Sequence, residues 1–288
     1  VSPRDCFLRA CWLDVAVRKP GNVSVFSAGH RMQAEMFVAS ARAAAGPLFE
    51  RGAGVGQRIE AAMDATWRAA GCNTNLGILL LCAPIAAATE REGACASVAS
   101  LRAAIESVLA ALDLDDARAA YRAIAQANPG GLGQAPAQDV HDEPTLGLRE
   151  AMALAASRDT IARQYLSGLA DLFDVGLAAL APGFVLMEGE AGELVSHASA
   201  AAVQQLYLSY LRFIPDSHIV RKHGEAVAQT VMTAAQGWAC VTEPGSDPDF
   251  AAWDETLKAQ GINPGTSADL SVATLLLAGL IAPVWHGT

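Results

Sequence analysis

Apolar residues recur along this chain at helical spacing and almost nowhere alternate with polar ones. Between residues 5 and 18, Leu8, Cys11, Trp12 and Val15 follow the i, i+3, i+4, i+7 pattern of one buried helix face. No period-2 run flanked by turn residues stands out, so there is little from which to build a sheet. Alanine, the best helix former, makes up about a fifth of the residues. The expected fold class is therefore all-α, a single multi-helix bundle domain over residues 1–288 with little or no strand. Helices are expected at 5–18, 32–51, 57–70, 76–89, 96–112, 115–127, 149–157, 159–181, 196–212, 222–236, 247–260 and 268–281. Between them, 128–148 reads as a loop, long enough for a compact domain to be functional or mobile.

Composition excludes several classes. A chain of 288 residues with 52% hydrophobic and 17% charged residues is neither disordered nor fibrous. Its 20 basic residues are outnumbered by 30 acidic ones, a poor surface for nucleic acid. That balance does not argue against a small anionic ligand, which needs only a few local donors. Six scattered cysteines without a CxxC read as reduced thiols of a cytoplasmic protein. No signal peptide is evident at the start of the sequence. The apolar stretches Leu76–Ala88 and Ala273–Trp285 each run about 13 residues and contain a proline, short of the roughly 20 a membrane span needs. Alanine-rich helix faces suit close packing, so a homodimer is expected alongside a monomer.

Polar residues are scarce, which makes their clustering informative. They gather in Arg18-Lys19-Pro20-Gly21-Asn22 with His30, in Gly71-Cys72-Asn73-Thr74-Asn75, in Pro215–His218 with Arg221-Lys222-His223, and in Asn263-Pro264-Gly265-Thr266-Ser267-Ala268-Asp269. Turns at helix starts, with free N–H groups and a few cations, bind anions. Asp216 and Asp269 offer oxygen ligands for Mg²⁺. Taken one at a time, these segments are ordinary turns and caps, and Asp159 with Arg163 has the i,i+4 spacing of a surface ion pair. Gly52–Gly56 lacks the Lys-Ser/Thr end of a phosphate loop, and no Rossmann, HExxH or GxSxG signature is present.

The order Lys-Pro-Gly-Asn-Val, His, Gly-x-Asn-Thr-x-x-Gly and Asn-Pro-Gly-x-Ser-Ala-Asp-Leu, spread over roughly residues 15–280, resembles the triphosphoribosyl-dephospho-CoA synthase family. Members of that family assist citrate lyase and malonate decarboxylase. The resemblance implies an all-helical enzyme that takes ATP and 3′-dephospho-CoA, releases adenine, and leaves a triphosphoribosyl group on the acceptor's 2′-hydroxyl. Three departures mark a divergent branch of the kind associated with methanogens and methylotrophs. His30 is followed by Arg31-Met32-Gln33-Ala34 where the family has His-x-Asp-Met-Asp. Asn73-Thr74-Asn75 stands for Asn-Thr-His, and the mid-chain Gly-Ala-Arg-Gly-Glu is missing.

Such a reaction passes through an oxocarbenium-like state and needs a proton acceptor and triphosphate ligands. The resemblance then implies phosphate contacts from Lys19, Arg163, Arg221 and Lys222, and ribose or phosphate contacts from Asn22, Asn73, Thr74, Asn75 and Asn263. It implies catalysis by His30, Asp216 and Asp269, and Mg²⁺, brought with ATP, on Asp159, Asp216 and Asp269. Two other readings stay open. One is an enzyme of tetrahydromethanopterin-type C1 cofactor biosynthesis, with a different acceptor. The other is a non-catalytic helical binding protein.

Overall fold

A computed structural model describes residues 1–128, 138–180, 184 and 195–285, with side chains to residue 281. Among these residues no strand forms, and helices account for nearly all regular structure. The first half runs α1 (Pro3–Ala16), α2 (Ala34–Leu48), α3 (Val55–Ala70), α4 (Leu76–Ala88), α5 (Val98–Ala110) and α6 (Leu114–Ala127). After it come α7 (Leu148–Ala155), α8 (Thr160–Ser167), a π-helical segment (Leu172–Leu177), α9 (His197–Phe213), α10 (Ser217–His223), α11 (Glu225–Gln236), α12 (Pro248–Ala259) and α13 (Gly265–Trp285). No described helix is long and apolar enough to cross a membrane.

Local chemistry explains most boundaries. Ser2 caps α1, its hydroxyl accepting from the Asp5 N–H at 3.2 Å while Asp5 accepts from the Ser2 N–H at 3.2 Å. Asp113 and Asp116 build the same reciprocal box on α6. The Pro20-Gly21 turn ends the run that α1 began, because proline offers no N–H.

Helices α4 and α13 are apolar on every side, and such a helix belongs in a core. Helix α13 packs against α1, α4, α9 and the π segment. Pro84 inside α4 leaves the Leu80 carbonyl without its usual i+4 donor. The buried Tyr165 hydroxyl of α8 donates to that carbonyl at 2.7 Å. A second apolar cluster joins Tyr207, Leu211, Ile219, Phe250 and Leu257, with Trp238 and Trp253 against it.

Two expected helices are subdivided. The 159–181 helix stops at Gly168 and Leu169, both left-handed (φ 70° and 58°), and resumes as the π segment. The 222–236 helix begins earlier, as α10, and breaks at Gly224 (φ 86°) before α11. Periodicity shows neither break, because each depends on only one or two residues with positive φ. Of the expected 128–148 loop, 129–137 lies outside the described residues. Residues 138–147 are irregular and lead into α7.

Candidate active site

The turns that the sequence singled out come together around one cavity of about 790 Å³. The first turns of α4, α10 and α13 open onto it, as do the last turn of α1, the 29–32 turn, the end of α6 and one face of α7. Asn22, His30, Asn73, Thr74, Asn75, Asp159, Arg221, Lys222, Asn263 and Asp269 all line it. Asn22 donates its amide to Asn263 Oδ1 at 3.0 Å, tying the first polar turn to the last across 241 residues. Asn73 Oδ1 caps the Leu76 N–H at 3.1 Å, and Thr74 donates to Ser40 Oγ at 2.7 Å. Asn75 is buried, yet neither atom of its side-chain amide has a partner. A buried amide left unmatched beside a cavity leaves a donor and an acceptor available there.

Three expected site residues do not line the cavity. Lys19 is fully buried, its Nζ 3.0 Å from the Asp14 carboxylate and 3.0 Å from Asn22 Oδ1, above the Tyr207 ring. It braces two lining residues rather than facing the space itself. Asp216 is buried with four hydrogen bonds. Oδ1 accepts from the His218 and Ile219 N–H groups (3.0 and 3.2 Å), and Oδ2 from the Ser267 N–H and hydroxyl (both 2.8 Å). It locks the start of α10 to the start of α13 and has little capacity left for a metal. Arg163 pairs with Asp171 at 2.8 Å, away from the cavity. The expected Asp159–Arg163 pair is not made. Asp159 caps α8 through Oδ1 and holds Arg221 at 2.6 Å through Oδ2.

The structure adds Asp14, Arg31, Arg158 and His218 to the wall. Asp14 carried a sequence signal, since it falls at a position of α1 where the spacing Phe7, Ala10, Asp14, Val17 calls for an apolar residue. Arg31 sits beside His30 in a two-residue turn, and both are left-handed (φ 65° and 55°). Gly29 and Met32 exchange backbone hydrogen bonds across it at 3.1 and 2.8 Å. Holding two non-glycine residues there costs about 1–2 kcal/mol apiece, and the conformation sets both side chains at the cavity.

Charge is distributed unevenly around this wall. Several arginines elsewhere in this acidic chain pair with carboxylates, as Arg18 does with Asp254, Arg58 with Glu90 and Arg149 with Glu106, while others, such as Arg91 on Ser107, do not. Arg31, Arg158 and Lys222 line the cavity with no carboxylate partner among the described residues. Asp269 lies against Gly77 so closely that a Cβ there would overlap its carboxylate, and no described residue bonds to it. Burial pushes its carboxyl well above the usual carboxylate range, with repulsion from Asp14, Asp216 and Asp159 added and Arg221 opposing. Burial likewise raises Asp14, against the pull of Lys19.

His30 donates its Nε2–H to the Gly21 carbonyl at 2.8 Å, which leaves Nδ1 as the acceptor. Burial lowers its pKa, and nearby Lys222 and Lys258 add to the effect. His218 is lowered to about 3 by burial and by the charges of Arg221 and Lys222. Both rings are neutral at neutral pH.

A family model described as CitG, ATP:dephospho-CoA triphosphoribosyl transferase, matches residues 2–287. A solved structure of a provisionally assigned triphosphoribosyl-dephospho-CoA synthase from Archaeoglobus fulgidus matches with a TM-score of 0.64 and 21% identity. That match covers 85% of this chain and 98% of the other. At that identity the likeness speaks for the fold alone. Comparison with curated proteins gave no match.

Proposed function

Since this chain belongs to the CitG family of ATP:dephospho-CoA triphosphoribosyl transferases, we propose that its cavity holds ATP beside the acceptor and carries out the transfer with the residues described above. The observation that carries this assignment is the gathering of Arg31, Arg158 and Lys222 at one cavity, none with a carboxylate partner among the described residues. A polyanionic ligand is the partner that suits them. Arg31 and Lys222, with Arg221 behind them, grip the triphosphate. Asn22, Asn73, Asn75 and Asn263 bind its oxygens or those of the ribose, and Lys19 acts by fixing Asp14 and Asn22.

In the reaction an acceptor ribose hydroxyl oxygen bonds to C1′ of ATP. The C1′–N9 bond breaks, and adenine departs with that electron pair and picks up a proton. Positive charge grows on the ribose ring as the bond loosens, and Asp269 is placed to stabilise it. Nδ1 of His30, neutral and free to accept, takes the hydroxyl proton.

Mg²⁺ is the expected companion of ATP. No group of three or more metal-ligating side chains exists among the described residues. An ion that arrives with phosphate oxygens needs only one or two carboxylates. Asp269, unbonded, and Asp14 fit that need, whereas Asp216 and Asp159 already have their oxygens occupied. When bound, the ion would offset phosphate charge.

The test is incubation of the purified protein with Mg-ATP and 3′-dephospho-CoA, followed by chromatography for adenine and mass spectrometry of the product. Equimolar adenine and triphosphoribosylated acceptor are expected. ATP binding without adenine release would overturn the assignment of this acceptor.

A further inference from the structure

Two groups can be picked out among the residues that line the cavity. One is polar and tied together by the Asn22–Asn263 and Asp159–Arg221 contacts and by Asp269 against Gly77. The other is mainly apolar: Ile124 on α6, Val140, and Met152 with its neighbours on α7, with Tyr121, Asn128, Gln138 and Asp139 lining the cavity from the same segments. A triphosphate gains nothing from that second wall. Two large hydrophobic side chains that stay exposed, Trp67 (38%) and Leu154 (52%), also line the cavity, whereas exposed Phe213 and Phe26 do not. Arg158 follows α7 directly and precedes Asp159, which holds Arg221 in the polar set. It lines the cavity, exposed and without a carboxylate partner among the described residues.

Dephospho-CoA has its parts in the same order: a reacting ribose, a diphosphate, and then a long neutral amide chain. Resting on the acceptor assigned above, we propose that the apolar wall is the acceptor subsite. The neutral chain lies along Ile124 and Met152 and leaves between Trp67 and Leu154, and Arg158 contacts the diphosphate. The wall thereby selects an acceptor with a chain over a bare nucleotide. Burying a chain of this kind is worth tenfold or more in discrimination, since a single methylene in an apolar pocket is worth about 10–200-fold.

The experiment compares wild type with Met152→Trp, Leu154→Asp and Arg158→Gln. Calorimetry measures dephospho-CoA and Mg-ATP binding separately, and adenine release gives both KM values. Met152→Trp narrows the subsite, and Leu154→Asp changes an exposed position that tolerates polarity. Each variant is expected to weaken dephospho-CoA, in Kd and KM, about tenfold while Mg-ATP stays within twofold. Unchanged dephospho-CoA binding in both Met152→Trp and Leu154→Asp, or an equal loss for ATP, would refute the subsite. A wild type that binds dephospho-CoA through these residues but releases no adenine would overturn the reaction and leave the subsite standing. A wild type that does not bind dephospho-CoA at all overturns both.

Discussion

Asp216 tests whether a buried carboxylate beside the cavity is scaffold or chemistry. Replacing it with alanine removes the acceptor from three backbone N–H groups and one hydroxyl at once. Hydrogen bonds to a charged group contribute about 1.5–3 kcal/mol each, so the gross loss is large. Burial, however, has already raised the Asp216 pKa against the effect of those bonds, and part of the gross gain is used in desolvating the carboxylate. The net cost should resemble breaking one side of a buried ionic contact, about 3–5 kcal/mol. Asp216→Asn keeps an oxygen for the His218 and Ile219 N–H groups but turns an amide donor toward the Ser267 N–H, so it should cost about 1–3 kcal/mol. At about 2–4 °C per kcal/mol, the asparagine variant melts a few degrees low and the alanine variant some 6–20 °C low. Thermal and urea melts give the stability, and adenine release per folded molecule gives the activity. Because Asp216 does not line the cavity, the asparagine variant keeps turnover within about tenfold. An unchanged melt together with abolished turnover would falsify the scaffold assignment and return Asp216 to the chemistry.

Asp269→Asn should behave in the opposite way, losing turnover by about a hundredfold or more with no loss of stability. The folded state raises the Asp269 pKa, so ionising it costs stability as pH climbs from the ordinary carboxylate range through the raised value. The variant's melting advantage should therefore grow with pH, and a melting deficit at pH 8 contradicts this. His218, held to about 3, binds fewer protons folded than unfolded, so stability is present near neutral pH and is lost as pH falls below about 6.5. His218→Gln should flatten the melting curve between pH 6.5 and 4, and an unaltered slope would exclude the histidine as its source. Tyr165→Phe strands the Leu80 carbonyl and should cost about 1–3 kcal/mol in urea. Adding Pro84→Ala to that variant restores a backbone donor, so the double variant should recover part of the loss; strict additivity in the cycle would refute the pairing.

Most of the helix map was legible along the chain, because periodicity and caps act over three or four residues. The capping boxes at Ser2 and Asp113 are examples, and both need only their immediate neighbours. The gathering of Asn22, Asn73–Asn75, Lys222 and Asn263 was expected from their turn chemistry together with the family resemblance, and they do line one cavity. The ranking of charged residues was not legible. Lys19 and Asp216 went behind the wall, Asp14 and Arg158 came to its surface, and Arg163 turned away.

The sequence by itself determined that this chain forms helices, where most of them begin, and which turns carry polar groups. Tertiary structure decided which of those groups face the cavity. Asp159 lies four residues from Arg163 yet pairs with Arg221, 62 positions away, and Asp216 is satisfied by Ser267 across 51. Local spacing offers an exposed pair about 0.2–0.5 kcal/mol, whereas leaving a buried charge unpaired costs several times that. Packing of helices distant in sequence therefore outweighs proximity along the chain in choosing each charge's partner.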